Sequence, residues 1–185
     1  MPLTFKPQDW QRQIGTEMFR CSTDTQYIQL DRLNEALASD ALWWATELPE
    51  DALQMMVENS LCFGLYKVSK ARSPDQTGEL TMIGLSRVIT DNVTFGYLTD
   101  VYVVDEHQRK GLAKFMMECL DEVLNHLTHL RRLLILSRDQ GAISMYKSTL
   151  RAKDWQPPED IKLLARPGLS KKLALAESNI TGYQE

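Results

Sequence analysis

LTDVYVVDEHQRKGLAKFMM, residues 98–117, holds the reading that decides the fold. An apolar, β-branched run (Val101, Val103, Val104) stops at a cluster of charged and polar residues. One glycine, Gly111, follows, and an apolar-periodic segment begins. Branched side chains suit a pleated, half-buried strand. From Gly111 to about Leu127, the residues Leu112, Phe115, Met116, Cys119, Leu120, Val123, Leu124 and Leu127 recur at the i, i+3, i+4 spacing of one helix face. The stretch is a strand, a tight basic turn and a long amphipathic helix.

Working outward, RRLLILS (131–137) reads as a buried strand and about 141–150 as a further helix. The unit at 95–137 is long enough for a right-handed crossover between parallel strands. Upstream, SLCFGLYKV and TMIGLSRVI read as an antiparallel hairpin (61–67 with 80–89) around the polar loop SKARSPDQTGEL. DNVT is the short turn into the strand TFGYLTDVYVV. LDRLNEALASDALWW has helical spacing at Leu30, Leu33, Leu37 and Ala41. Pro49, Glu50 and Asp51 open a second helix, with proline and acids at its positive end. EMFRCSTD is the first strand, and residues 1–18 resist assignment. The double proline at 157–158 breaks the chain, and DIKLLA reads as a final strand. The order β-α-α-β-β-β-α-β-α-β describes a mixed α/β domain. A single domain over 1–185 is expected, with 1–18 and 166–185 as terminal segments.

Composition bounds the function. The 185 residues are 43% hydrophobic and 25% charged, enough for one core. Twenty-one basic against 25 acidic residues give a net charge of −4, which argues against a nucleic-acid partner. No apolar run approaches the ~18 residues of a membrane span, and the N-terminus lacks a secretory layout. Cys21, Cys62 and Cys119 lie far apart without CxxC spacing, so neither a disulfide framework nor a zinc site is expected. His126 and His129 lie at the end of the long helix, where the dipole accounts for them. No metal is expected, and the expected location is the cytoplasm.

Gln108-Arg109-Lys110-Gly111-Leu112-Ala113 places two cations and a glycine at a helix mouth. Helix N-termini carry unpaired N–H groups, and a glycine lets a large anion approach them closely. The turn suits a pyrophosphate, although it is neither a Walker loop nor GxGxxG. By itself it fits a plain corner with solvated cations about as well.

The wider pattern tips that balance. Q-x-x-G-x-A, after D-V-Y-V and before a long amphipathic helix, resembles the coenzyme A motif [Q/R]-x-x-G-x-[G/A] of the GNAT superfamily of N-acetyltransferases. DQGAISMY (139–146) is similar to the family's N-x-x-A-x-x-x-Y, with Asp139 in place of asparagine. Element order extends the likeness over roughly 20–165. The family's Gly-Phe ending after the tyrosine is absent, the text here being YKSTLRAKDWQ.

The resemblance implies a mostly antiparallel mixed sheet with a splayed parallel strand pair, flanked by about four helices. It implies acetyl-CoA as donor and an amine acceptor, with the chain a monomer or homodimer. The strand residues Val101, Tyr102 and Val103 would pair with the pantetheine arm, and Gln108, Arg109, Lys110, Gly111, Leu112 and Ala113 would hold the pyrophosphate. Asp139 would position the arm. Tyr146 would donate a hydrogen bond or proton to the leaving thiolate; without the motif it reads as a packed tyrosine. Asp100 could take the amine's proton directly or through water, could bind the ammonium, or could be an ordinary solvated or ion-paired carboxylate. Trp43 and Trp44 could wall the acceptor pocket or belong to the core. A catalytically silent acyl-CoA-binding module is the alternative.

Overall fold

The computed structural model describes residues 6–69, 78–156, 158–160 and 164. Six strands form one sheet: β1 (Asp9–Ile14), β2 (Glu17–Ser22), β3 (Leu61–Val68), β4 (Leu80–Thr90), β5 (Phe95–Val103) and β6 (Arg132–Ile135). They lie in chain order, antiparallel throughout except for the parallel pair β5–β6. Four α-helices accompany them: α1 (Leu30–Ala38), α2 (Glu50–Glu58), α3 (Leu112–His126) and α4 (Gln140–Thr149).

The sheet separates two cores. On one face, α3 buries Leu112, Phe115, Met116, Met117, Cys119, Leu120 and Val123 against Phe19, Phe63, Leu65 and Leu98, with Tyr146 of α4 in the same cluster. Full burial of such a side chain contributes about 1.5–3 kcal/mol, so this helix is the principal clamp on the sheet. On the other face, α1 and α2 pack Leu33, Leu37, Leu53 and Val57 on Tyr66, Met82, Leu85 and Tyr102.

Three expectations need correction. The segment left unassigned contains a strand: β1 pairs with β2 through Gly15-Thr16, with Gly15 at φ +60°, the left-handed region a two-residue hairpin turn needs. EMFRCSTD therefore supplies the second strand. The first helix stops at Ala38, six residues short of Trp44. Ser39 N–H and Oγ–H both donate to Ala36 O (3.1 and 2.7 Å), and a short 3-10 turn at Asp40–Leu42 replaces the continuation. RRLLILS is not a buried strand, because β6 is half-exposed at the sheet's edge among the described residues. Most of DIKLLA, and residues 70–77 of the long hairpin loop, lie outside the described residues.

The β4–β5 turn sets the site's register. Asp91 Oδ2 accepts from Thr94 Oγ1–H (2.7 Å) and its Oδ1 from the N–H groups of Val93, Thr94 and Phe95 (3.0, 2.7 and 3.1 Å), which together hold its carboxyl far below the usual range. From there β4 and β5 pair regularly through Arg87↔Thr99, then resume at Leu85↔Tyr102. One extra residue on β5 makes a bulge at Asp100–Val101 opposite Ser86, and Asp100 takes φ +50°. Beyond the bulge the strands close tightly. A Cβ on Gly84 would stand 2.6 Å from Tyr102 O.

Candidate active site

β5 pairs with β6 only from Phe95↔Arg132 to Leu98↔Ile135. Its second half, Thr99–Val103, has β4 on one side and no strand on the other among the described residues. The chain then turns through a 3-10 segment (Asp105–His107) into α3. Two residues of that turn are left-handed, Arg109 at φ +59° and Gly111 at φ +76°, with Gly111 as the helix N-cap. Such alternation aims successive backbone N–H groups into one concavity. The described residues offer no acceptor to the N–H groups of Gly111, Leu112 and Ala113. A Cβ on Gly111 would meet nothing within 4 Å, so the glycine serves the dihedral and borders open space. A nest of N–H groups at a helix's positive end fits a phosphate group.

The polar side chains of the turn look back into the protein. Gln108 Nε2 donates to Val103 O (2.9 Å) and Asp105 Oδ1 (2.8 Å), tying the turn to the strand's end. Lys110 Nζ lies 3.0 Å from Glu17 Oε2 on β2 and 3.5 Å from His107 Nδ1. Lys67 holds the other oxygen of Glu17 at 2.6 Å. The hydrogen bonds from Lys67 and Lys110 bring the Glu17 carboxyl down to about 2. Burial, then Lys110 and Lys67, lower His107, which rests edge-on against Phe19 at 6.0 Å. Only Arg109 keeps its charge without an ion-pair partner here among the described residues.

Asp139 is the N-cap of α4, its Oδ1 accepting from Ala142 N–H at 2.6 Å. Asparagine and aspartate cap about equally well, which explains how aspartate serves in this place. Two turns on, Tyr146 is buried among α3 residues, with burial and then Asp139 pushing its phenol up to about 12.

Asp100 is 4% exposed and fully engaged. Its Oδ2 accepts from Arg87 Nε and Nη2, both at 2.7 Å. Its Oδ1 accepts from Trp44 Nε1–H and Thr99 Oγ1–H, both at 3.1 Å. Four donors occupy the four lone-pair positions of the carboxylate, so it is ion-paired rather than solvated. Arg87 also donates through Nη1 to Ser60 Oγ (3.1 Å), which donates to Met56 O at the end of α2. Trp43 meets Trp44 edge-on with centroids 5.6 Å apart, and the Arg138 guanidinium sits 4.3 Å from the Trp43 ring centroid.

Val101, Tyr102, Val103 and Asp100 thus lie on β5 beyond its pairing with β6, the turn follows directly, and Tyr146 shares the buried cluster of Val103 and α3. Asp100 brings Trp44, and through it Trp43, to the α1–α2 side of that strand. Arg87, Glu17 and Arg138 escape the sequence pattern. Arg87 alone left a signal: counting back across DNVT sets it against Thr99, the residue before Asp100. Among the described residues no group of His, Cys, Asp and Glu side chains could hold a metal ion, and no helix is long and apolar enough to cross a membrane.

Comparison with known proteins follows the same outline. The family model for the acetyltransferase (GNAT) family matches residues 30–150. A protein of Gibberella zeae, provisionally named an acetyltransferase, is 41% identical over 167 residues, 85% of this chain and 89% of its own. The crystal structure of a provisionally named GNAT acetyltransferase from Xanthomonas campestris pv. campestris is 28% identical with a TM-score of 0.57, covering 82% of this chain and 95% of that one. A protein of unknown function from methicillin-resistant Staphylococcus aureus, described as a probable acetyltransferase, shares the fold at 18% identity and a TM-score of 0.55.

Proposed function

Because the chain belongs to the acetyltransferase (GNAT) family, we propose that it is an acetyl-CoA-dependent N-acetyltransferase acting on a primary amine of a small molecule or peptide. The observation that carries the reading is the half of β5 without a strand beside it running into a nest of backbone N–H groups, with Tyr146 in the same buried cluster as Val103. Backbone groups of Val101 and Val103 hold the pantetheine arm, and those of Arg109 to Ala113 the pyrophosphate. Arg109 adds charge at the rim, where salt screens it.

The amine nitrogen attacks the thioester carbonyl carbon, the C–N bond forms, and the C–S bond breaks as the thiolate leaves. Holding both reactants in one opening supplies much of the rate. Tyr146 stabilises the leaving sulfur as a hydrogen-bond donor. With its phenol near 12 and an ordinary thiol near about 8.5, complete transfer of its proton would run uphill. The ammonium first gives one proton to solvent water to free the nitrogen lone pair, and the second proton, shed as the C–N bond forms, reaches sulfur through water, so that ammonium and thioester become amide, thiol and one released proton. Asp100, its lone pairs occupied, positions Trp44 and does not act as the base.

A panel of primary amines with acetyl-CoA, read by thiol release and product mass, tests the reading. Stoichiometric thiol and acetylated amine are expected. Tyr146→Phe should lower kcat by roughly ten- to a hundredfold, the worth of one hydrogen bond to a charged group, while coenzyme A still binds. Absence of coenzyme A binding at millimolar concentration would overturn the proposal, and binding without turnover would leave a silent acyl-CoA-binding module.

A further inference from the structure

Arg138 stands three residues beyond the end of β6 and immediately before the cap of α4. It is exposed, and no carboxylate of the described residues lies within ion-pair distance of it. Arg12, Arg20, Arg87 and Arg151, by contrast, each hold an acid. What steadies Arg138 is the Trp43 ring. A guanidinium resting on an aromatic ring keeps in-plane N–H donors for a second partner, in the fork that matches a carboxylate.

Two carboxylates near it are engaged by the protein itself. Asp100 is neutralised by Arg87, and its oxygens accept four donors. Asp139 commits Oδ1 to the first turn of α4, whose dipole favours its charge. Next to the bulge on β5 stand two indoles, Trp44 bonded to Asp100 and Trp43 carrying the arginine on its ring.

We propose that Arg138, steadied by Trp43, binds an anionic group of the acceptor, so that the preferred substrates are amines that also carry a carboxylate, such as free amino acids. This rests on the acetyl transfer proposed above for its acceptor, and on the geometry of Arg138 for its chemistry. An anionic acceptor suits the physics of the step, since the arginine fixes one end of the molecule and leaves the amine, the weaker ligand here, to face the thioester.

Matched acceptors that differ by one carboxylate provide the test: phenylalanine against phenethylamine, alanine against ethylamine, with spermidine as a polycation. The wild type should favour the carboxylate member of each pair by about tenfold or more in kcat/KM, the worth of a charge-assisted pair. Arg138→Gln should bring that ratio toward one, mainly through KM, and Arg138→Glu should turn it toward spermidine. Coenzyme A titration reports that each variant is folded. Equal use of both members by the wild type, or a ratio unmoved by Arg138→Gln, overturns the inference and leaves acetyl transfer standing. A second arm needs no turnover: N-acetylphenylalanine should bind the wild type saturably by tryptophan fluorescence and lose that binding in Arg138→Gln. Binding of this kind by a chain inert toward every amine would overturn the transfer reading and sustain the anion site; its absence would remove the anion site.

Discussion

Replacing Asp100 by asparagine is expected to cost the fold several kcal/mol without disturbing its backbone. Asparagine tolerates the positive φ at the bulge and its Oδ1 can still accept from Trp44 and Thr99, but an NH2 donor then faces Arg87, so the change removes the charge together with both Arg87 hydrogen bonds. What it strands is Arg87, whose side chain is 13% exposed beside an aspartate at 5%. Removing one partner of a buried ion pair costs about 3–5 kcal/mol, because the other charge stays desolvated. For a domain of this size, where each kcal/mol moves Tm by about 2–4 °C, that is a fall of about 6–20 °C. Arg87→Met should cost a similar amount, leaving Asp100 unpaired. The double variant Arg87→Met/Asp100→Asn carries no stranded charge and should recover at least about 2 kcal/mol of the summed loss. Urea unfolding of the four proteins measures the cycle. A single-variant cost below about 1 kcal/mol, or two costs that simply add, would refute the reasoning that the pair is a desolvated unit holding the bulge.

Three more outcomes follow from the turn and its surroundings. Gly111→Ala places a Cβ where φ is +76°; the strain of about 1–2 kcal/mol should appear as lower stability, and blockage of the nest as about a tenfold or larger rise in the coenzyme A Kd by isothermal titration. Gly84→Ala sets a methyl 2.6 Å from Tyr102 O, and overpacking of about 1–3 kcal/mol in denaturant unfolding is expected; an unchanged midpoint would contradict the close strand approach. Glu17 has a folded value near 2 against an ordinary 4.5, so its contribution is fully present above about 4.5 and is lost as pH falls toward 2. Glu17→Gln should therefore flatten that part of an acid-unfolding curve, and an unaltered acid limb would count against the Lys67–Glu17–Lys110 bridge.

What the sequence discloses is what is local. Helix α3 is announced by eight apolar residues on one face, and the DNVT turn by an aspartate able to cap its own backbone. The turn at Gln108–Ala113 and the place of Tyr146 on α4 are legible because spacing along one segment fixes them. β1 is hidden because DWQRQI places Arg12 at an inward position. There the guanidinium covers Phe115 at 4.2 Å and meets Glu118 at 2.7 Å, doing the work of an apolar side chain. The first helix reads too long because leucine spacing continues past Ser39, whose hydroxyl competes for the helix carbonyls. The site's ion pairs depend on register and distant partners. Glu17 meets Lys110 across 93 residues, and no local pattern foretells that. The same holds for Asp100, whose roles stayed open until the bulge turned it toward Arg87 and Trp44.

Amide chemical shifts during a coenzyme A titration test the central claim most directly. The account predicts saturable shifts largest at Arg109–Ala113 and Val101–Val103, with lesser ones on α4 near Tyr146. Shifts concentrated elsewhere on the sheet, or none at millimolar coenzyme A, would contradict it.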